Sequence, residues 1–157
     1  MFAITRKRSA FSLIELVIVV VIIGIIADIA IPRMSRGAQG ANDSSLVGNL
    51  AILRKAIDLY AAEHNGTFPT DSSTIATQLT QYTDASGTVS ATKTATCIYG
   101  PYLRAIPALP LGAEKGSSTV AAAAGAGVGW IYIEATGVIS ANTGTLKDDT
   151  GKFYSAY

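Results

Sequence analysis

The feature that most constrains this chain is an apolar run of 21 residues, Phe11–Ile31, in which only Glu15 and Asp28 carry charge. An α-helix rises about 1.5 Å per residue, so a run of this length spans roughly 30 Å, the thickness of a bilayer core. An ordinary secretory signal has a shorter apolar core with small residues at a cleavage site behind it, and no such site follows here. The run therefore predicts a membrane-spanning helix.

The basic residues at the N-terminus predict how that helix is oriented. Arg6, Lys7 and Arg8 precede the apolar run. Because basic residues favour the cytoplasmic side of a span, we expect the N-terminus in the cytoplasm and the bulk of the chain outside. Arg33 and Arg36 follow the run, which weakens this asymmetry without reversing it.

Length and composition restrict the function classes. A chain of 157 residues has room for one small domain plus an anchor. Its 12 basic and 11 acidic residues nearly cancel, and no basic patch beyond the N-terminus indicates a nucleic-acid surface. Cys97 is the only cysteine, which excludes an intrachain disulfide and a cysteine metal cluster. With one histidine and no phosphate-cradling glycine loop, no catalytic constellation is evident, and we predict no enzymatic activity.

Glu15 lies near the start of the apolar run and needs an explanation. An unpaired acid in a lipid-embedded helix costs on the order of 3 kcal/mol at the centre of the bilayer and less near its faces. From periodicity alone, one reading is that Glu15 lies close enough to the cytoplasmic face to reach water. The residues around it offer a second reading.

The segment SAFSLIEL, residues 9–16, resembles the processing site of type IV prepilins and type II secretion pseudopilins. The resemblance implies that a leader, residues 1–10, is cut between Ala10 and Phe11 and that the new amine of Phe11 is methylated. It also implies that Glu15 of one subunit neutralises this amine on another subunit when the helices stagger inside a filament. A buried pair of this kind selects register more reliably than it adds stability. Ala10 is a departure, since the family nearly always has Gly there.

Three further positions of the apolar run and its end bear on this resemblance. Gly24 and Pro32 fall where the family places helix-weakening residues. Pro32 lacks a backbone donor and clashes with the preceding turn, so it predicts a kink or a locally open helix. Asp28 departs from the family, which has an apolar or small residue there. Interfacial solvation and a contact between subunits both account for an acid near the outer end of the span.

Residues 32–64 are expected to continue the helix as an amphipathic segment. A helical stretch is predicted from about Ser44 to His64, with Asn42, Asp43 and Ser44 as candidate N-caps. Its apolar positions are spaced by four, three, four and three and form one stripe, on which we expect the head to pack: Leu46, Leu50, Leu53, Ile57 and Tyr60.

The residues that end this helix carry little functional signal. His64 lies in the predicted last turn, where a cation suits the helix dipole. No partner acid or second histidine stands at ligand spacing, so a metal or catalytic role is not predicted. The tripeptide Asn65-Gly66-Thr67 has the pattern of a glycosylation sequon. Such patterns are common, and by itself this one carries no prediction.

Residues 65–157 are expected to form the head. A short helix is predicted after a cap at Thr70 or Asp71, with Ile75, Leu79 and Tyr82 on its apolar face. The polar residues 83–96 and the Ala-, Gly- and Ser-rich residues 113–127 predict loops.

The end of the chain predicts strands. Gly129–Glu134 and Val138–Ala141 are read as two strands of a hairpin, with Gly137 in the left-handed position of the loop. Phe153–Tyr157 is read as an edge strand. Asp148 and Asp149 stand in a Gly-containing turn and could bind calcium, which prefers oxygen ligands. Adjacent acids of this kind are more often solvated.

A second resemblance concerns residues 99–112, whose Gly-Pro-Tyr-Leu turn is similar to that of major pseudopilins. In that family a second proline and an Asp-Pro-Trp-Gly element follow, and Leu109-Pro110-Leu111-Gly112 stands in the last place here. Because the acid and the aromatic residue are missing, the calcium loop of the family cannot be carried over.

Pattern and resemblance together predict an α+β, pilin-like fold, in which a long N-terminal helix, its outer half spanning the membrane, packs on a small antiparallel sheet. The implied function is a structural subunit of a filament. The Gly-Pro-Tyr-Leu turn and the missing C-terminal disulfide favour a pseudopilin of a type II secretion system over a surface type IV pilin. Implied partners are further copies of the subunit, a prepilin peptidase that also methylates, and an inner-membrane assembly platform, with the head in the periplasm. The alternative from another class is a membrane-anchored extracytoplasmic binding domain.

Overall fold

A computed structural model describes residues 11–157, apart from the side chains of Pro32, Ser35 and Arg36. The chain forms two compact units, one ending at Gly40 and the other comprising Ala41–Tyr157. Helix α1, Leu13–Glu63, begins in the first unit and ends in the second. Ala10 and the basic cluster that precedes it lie outside the described residues.

Helix α1 is a single element of 51 residues that includes Gly24 and Pro32. The separate helix start predicted near Ser44 is therefore wrong, and Asn42 and Asp43 are interior helical residues rather than caps. A proline removes only one backbone donor and its φ is close to the helical value, so flanking helical residues can carry the element past it. The helix-weakening roles of Gly24 and Pro32 stay predictions.

The first unit contains the apolar part of α1. Leu13–Ile31, 19 residues, is long and apolar enough by length and composition to cross a membrane, and none of it is buried inside the protein. It falls within the predicted span, 11–31. It starts two residues later because Phe11 and Ser12 precede the helix.

The second unit has its core on the predicted stripe of α1. The five stripe residues are between 0 and 2% exposed, which confirms the prediction from their spacing: Leu46, Leu50, Leu53, Ile57 and Tyr60. Each such side chain stabilises the fold by about 1.5–3 kcal/mol on burial. Residues of the same core cluster come from the other elements of the unit: Ile75, Leu79, Leu109, Trp130, Tyr132 and Ile139.

Helix α2, Ile75–Thr80, confirms the short helix of the head, and Ile75 and Leu79 are buried as predicted. It starts later than expected, because Asp71 shapes the turn before it. The Asp71 carboxylate accepts a hydrogen bond from the backbone N–H of Ser73 at 3.0 Å, while Thr74 occupies the N-cap. Tyr82 belongs to the strand that follows and not to the helix.

Five short strands complete the described part of the head. β1, Tyr82–Thr83, pairs antiparallel with β2, Val89–Ser90. A second sheet has the order β3-β4-β5. Its strands are β3, Val120–Ala121, β4, Trp130–Ile133, and β5, Val138–Ala141.

The second sheet confirms the predicted hairpin and adds a third strand that was not predicted. β4 and β5 pair antiparallel, with Tyr132 opposite Ile139, and Gly137 has φ +67°. β3 pairs parallel with β4, so the sheet is mixed rather than wholly antiparallel. β2 and β3 lie in segments that were predicted to be loops, and β1 joins Tyr82, predicted on the short helix, to Thr83, the first residue of a predicted loop. In β3, Val120 is buried, and the N–H groups of Gly129 and Trp130 both donate to Thr119. The α+β class is confirmed.

The C-terminal segment forms a 3₁₀ helix, Tyr154–Ala156, and the predicted edge strand is wrong. Within the described residues 142–157, strand-like pairing is limited to one bridge, between Lys147 and Phe153. Tyr154 is buried, and its hydroxyl donates to the carboxylate of Asp43. Burial of this ring turns the chain toward α1 and away from a sheet edge.

Candidate functional site

The candidate site is the start of α1. Phe11 and Ser12 are not helical, and Leu13 is the first helical residue. Phe11 is 81% exposed. The peptide bond that precedes Phe11 is the predicted cleavage position, so this bond lies two residues before the helix begins.

Ser12 and Glu15 together shape this helix start. The backbone N–H of Ser12 donates to Glu15 Oε2 at 2.8 Å, and the carbonyl oxygen of Ser12 accepts from the N–H of Leu16 at 3.2 Å. Ser at the N-cap with Glu three residues later is the capping-box pattern, in which the carboxylate satisfies the backbone donor of the N-cap residue. A negative group here also suits the positive end of the helix dipole. Sequence reasoning missed Ser12, although its Ser-x-x-Glu spacing is readable.

The apolar side chains behind this start are exposed. Between Phe11 and Met34, the exposed fractions of the large apolar side chains run from 45% at Val17 to 81% at Phe11. A continuous apolar surface of this extent marks a membrane-contacting or protein-contacting region.

The other predicted residues of this segment lie along the same exposed stretch. Asp28 is exposed. A Cβ added at Gly24 would meet no atom within 4 Å, so packing inside the described part of the subunit does not require glycine there. Pro32 lies within α1. Among the residues that the structure describes, no hydrogen bond joins Gly24 or Asp28 to Glu15.

In the head, Asp148 accepts hydrogen bonds from its own turn. Its Oδ1 accepts from the N–H of Thr150 at 2.8 Å, the hydroxyl of Thr150 at 2.7 Å and the N–H of Lys152 at 2.9 Å. Its Oδ2 accepts from the hydroxyl of Tyr157. These bonds to Tyr157 and Thr150 lower the pKa of Asp148 to about 2, and the same contact raises the pKa of the Tyr157 hydroxyl to about 12.

The calcium prediction for Asp148 and Asp149 is not tested by this geometry. Within residues 11–157 as described, no group of three or more His, Cys, Asp or Glu side chains is placed to share a metal ion. Asp148 is buried and Asp149 is exposed. A cation at Asp148 would compete with the four donors that the chain already supplies.

His64 is a packed side chain of the head. It is 3% exposed, and its ring stacks on Tyr60 with 3.8 Å between centroids. Nδ1 lies 2.8 Å from the carbonyl oxygen of Tyr60, and Nε2 lies 2.9 Å from that of Asp84. The i, i+4 spacing of Tyr60 and His64 was a readable signal for this stack.

Comparison with known proteins bears on the start of α1. Residues 5–27 match the family model described as the prokaryotic N-terminal methylation motif, and this range includes Ala10, Phe11 and Glu15. No curated protein and no solved structure was found to match the chain. The motif implies processing by a prepilin peptidase, pilus-type assembly and a structural rather than an enzymatic role. At its N-terminus the chain thus carries the prokaryotic methylation motif, which supports membership of the type IV pilin-like family.

Proposed function

We propose that this chain is the structural subunit of a type IV pilin-like filament, made as a membrane-anchored precursor and assembled after removal of its leader. The observation that carries the proposal is the arrangement at the start of α1. Phe11 is exposed outside the helix, and Glu15 caps the first turn. Both lie in a matched methylation motif that leads into a 19-residue apolar helix.

Processing changes the charge at this site. Cleavage between Ala10 and Phe11 removes the basic leader and leaves a cationic amine on Phe11, which the peptidase then methylates. Glu15 is the acid nearest to this amine along the apolar run. Inside a bundle of such helices both charges are withdrawn from water, and each is costly unless it is paired. Pairing Glu15 of one subunit with the amine of another therefore favours one axial register.

The exposed apolar surface of α1 fits the subunit both before and after assembly into a filament. Before assembly, lipid covers Leu13–Ile31, and the leader with Arg6, Lys7 and Arg8 stays in the cytoplasm. After assembly, the same side chains cover one another in the filament core. The head stays outside the cytoplasm throughout, and other subunits and an inner-membrane assembly platform are its partners.

The subunit itself carries out no chemistry in this proposal and needs no bound cofactor. The hydrogen bonds that Asp148 accepts from Thr150, Lys152 and Tyr157 support this part of the proposal. Adding calcium or a chelator to the purified protein should leave its unfolding temperature unchanged. A rise with calcium that depends on Asp148 or Asp149 would contradict this part of the proposal.

Between the two kinds of filament we propose the type II secretion pseudopilin. Two features support this choice. Cys97 is the only cysteine and is buried, so a C-terminal disulfide is impossible. The Gly-Pro-Tyr-Leu turn is an ordered part of the head, since the N–H groups of Tyr102 and Leu103 both donate to the carbonyl oxygen of Leu79 at 2.9 Å.

Deleting the gene in its native cells tests this choice. A pseudopilin predicts that exported proteins accumulate in the periplasm while surface fibres are unaffected, and that the plasmid-borne chain restores secretion. Loss of surface fibres, adhesion or motility with normal secretion would favour the surface pilin instead. A domain that binds ligand without assembling would give neither phenotype, and the purified chain would form no filaments.

A further inference from the structure

The end of α1 is held in a defined turn. Asn65 and Gly66 have φ of 54° and 81°. The N–H of Gly66 donates to the carbonyl oxygen of Ala61 at 2.7 Å, and the N–H of Thr67 donates to that of His64 at 3.0 Å. A bond from the second residue past the cap back to the third-last helical residue is the Schellman pattern, in which Asn or Gly takes the left-handed position. The turn is thus fixed by its backbone.

The side chains of this turn are exposed and do not pack against the head. Asn65, Gly66 and Thr67 are all exposed, whereas His64 and Pro69 on either side are buried. In the part of the chain that the structure describes, neither the carboxamide of Asn65 nor the hydroxyl of Thr67 forms a hydrogen bond. Two polar side chains are therefore presented to solvent from a rigid support, at the spacing of an N-glycosylation sequon.

A second sequon pattern in the chain shows what the structure adds to the sequence. Asn42-Asp43-Ser44 has the same Asn-x-Ser/Thr spacing, but it lies inside α1. In a helix, residues two apart do not face each other, so Asn42 and Ser44 project in different directions. Asn42 is half-buried, and Asp43 accepts a hydrogen bond from Tyr154. Of these two sequons, only the one in the turn is presentable to an enzyme.

We propose that Asn65 is an N-glycosylation acceptor on the extracytoplasmic head. The donor would be a lipid-linked oligosaccharide diphosphate, and the catalyst a membrane oligosaccharyl transferase. The Asn65 carboxamide nitrogen forms a bond to the anomeric carbon of the sugar while the bond from that carbon to the diphosphate oxygen breaks. The lipid diphosphate leaves with the electron pair, and the proton of the nitrogen passes to a base of the transferase.

Two neighbouring features support the reaction. The hydroxyl of Thr67 is available to hold the acceptor in the transferase. The carboxylate of Glu63, two residues before Asn65, is exposed and accepts a hydrogen bond from the hydroxyl of Tyr102 at 2.5 Å, which it would exchange for a contact to a cationic acceptor site. The inference rests on the proposed function in one respect, because it requires the head to lie outside the cytoplasm.

The test is mass spectrometry of the full chain purified from its native membranes. The peptide that contains Asn65 should carry an added glycan mass. Thr67→Ser, which keeps the sequon, should retain this mass; Asn65→Gln and Thr67→Ala should lose it. Asn42→Gln is the matched control and should leave the glycan mass unchanged.

Several results would overturn the inference. These are an unmodified Asn65 in the wild-type chain, a glycan mass that persists in Thr67→Ala, or a glycan at Asn42. The same spectra report Phe11. A methylated Phe11 with an unmodified Asn65 would overturn the glycosylation alone. A glycan on Asn65 in a chain that keeps its leader would support the acceptor site and contradict the filament.

Discussion

The backbone N–H of Ser12 donates a hydrogen bond to Glu15 Oε2 at 2.8 Å, directly after the residue at which the processed chain would begin. Glu15 thus has a partner within its own chain before any subunit adds a second one. In the proposed filament the same carboxylate also faces the amine of a neighbouring Phe11. The hydrogen bond to Ser12 fixes where the carboxylate lies at the helix start, at the position that the proposed contact between subunits requires.

The first prediction separates the charge of Glu15 from its role as a cap. Glu15→Gln keeps an oxygen that can accept from Ser12 but removes the charge. Leaving the neighbouring amine unpaired in an apolar core costs roughly 3–5 kcal/mol per subunit. The variant should still insert into the membrane, while filaments, captured by chemical cross-linking of subunits in intact cells and quantified by immunoblotting, fall below detection. Asp28→Asn is the control, and it should assemble as the wild type does. Normal filament yield from Glu15→Gln would contradict the pairing.

The second prediction concerns the apolar stripe of α1. Leu53 is 0% exposed whereas its neighbour Ile52 is 50% exposed. Leu53→Ala should lower the free energy of unfolding of the head by about 2–5 kcal/mol because it opens a cavity. Ile52→Ala should change it by roughly 0.5 kcal/mol or less. Trp130, the only tryptophan, is fully buried, so its fluorescence during urea unfolding in detergent measures both. Equal effects of the two substitutions would contradict the conclusion that Leu53, and not Ile52, faces the core of the head.

The third prediction tests the hairpin loop. Gly137 has φ +67°, and a Cβ there would lie 2.5 Å from Cδ1 of Phe68. Gly144 has φ +58°, but a Cβ there would meet nothing within 4 Å. Gly144→Ala should therefore cost about 1–2 kcal/mol for the left-handed backbone alone.

Gly137→Ala should cost more than Gly144→Ala, because the ring of Phe68 or the hairpin must also shift. Thermal unfolding of the two variants under the same conditions provides the measurement. If Gly137→Ala were the milder of the two, the packing of Phe68 on the hairpin would be wrong.

The fourth prediction is a dependence of stability on pH. The pKa of Asp148 is about 2 in the folded chain, below its ordinary value of 3.8. The ionised carboxylate therefore stabilises the folded state above pH 3.8, and this contribution is lost as the pH falls toward 2. Asp148→Asn should flatten that part of the profile, measured as urea midpoint against pH. The exposed neighbour Asp149→Asn is the control and should keep the wild-type slope. An unchanged slope in Asp148→Asn would contradict the assignment of this pH dependence to the Asp148 carboxylate.

The parts of the fold that follow from local spacing were predictable from sequence. The apolar run, the buried stripe with Leu53 at its centre, and the hairpin at Gly137 each depend on a periodicity or on one backbone conformation. Asn42 and Asp43 were misread as caps, because residues that favour caps are tolerated inside a helix once its neighbours are helical. The candidate site at the start of α1 was also predictable from sequence. This includes the Ser12 cap, which was overlooked.

The rest of the head depends on contacts between residues far apart in sequence. Val120 lies in a strand because it pairs with Trp130 on β4. The Ala- and Gly-rich sequence around Val120 gives no indication of this partner. The sequence of the C-terminal segment predicts an edge strand. In the structure the segment is not a strand, because the hydroxyl of Tyr154 donates a hydrogen bond to Asp43, 111 residues earlier. Asp148 likewise depends on Tyr157 to complete its hydrogen bonds. Such pairings are properties of the folded chain.

The most direct test of the central claim is the N-terminus of the protein purified from its native membrane, determined by intact mass and N-terminal sequencing. The account predicts a chain that begins at a methylated Phe11 and lacks Met1–Ala10. A chain that retains Met1–Ala10, in cells whose leader peptidase is active on other substrates, would contradict it.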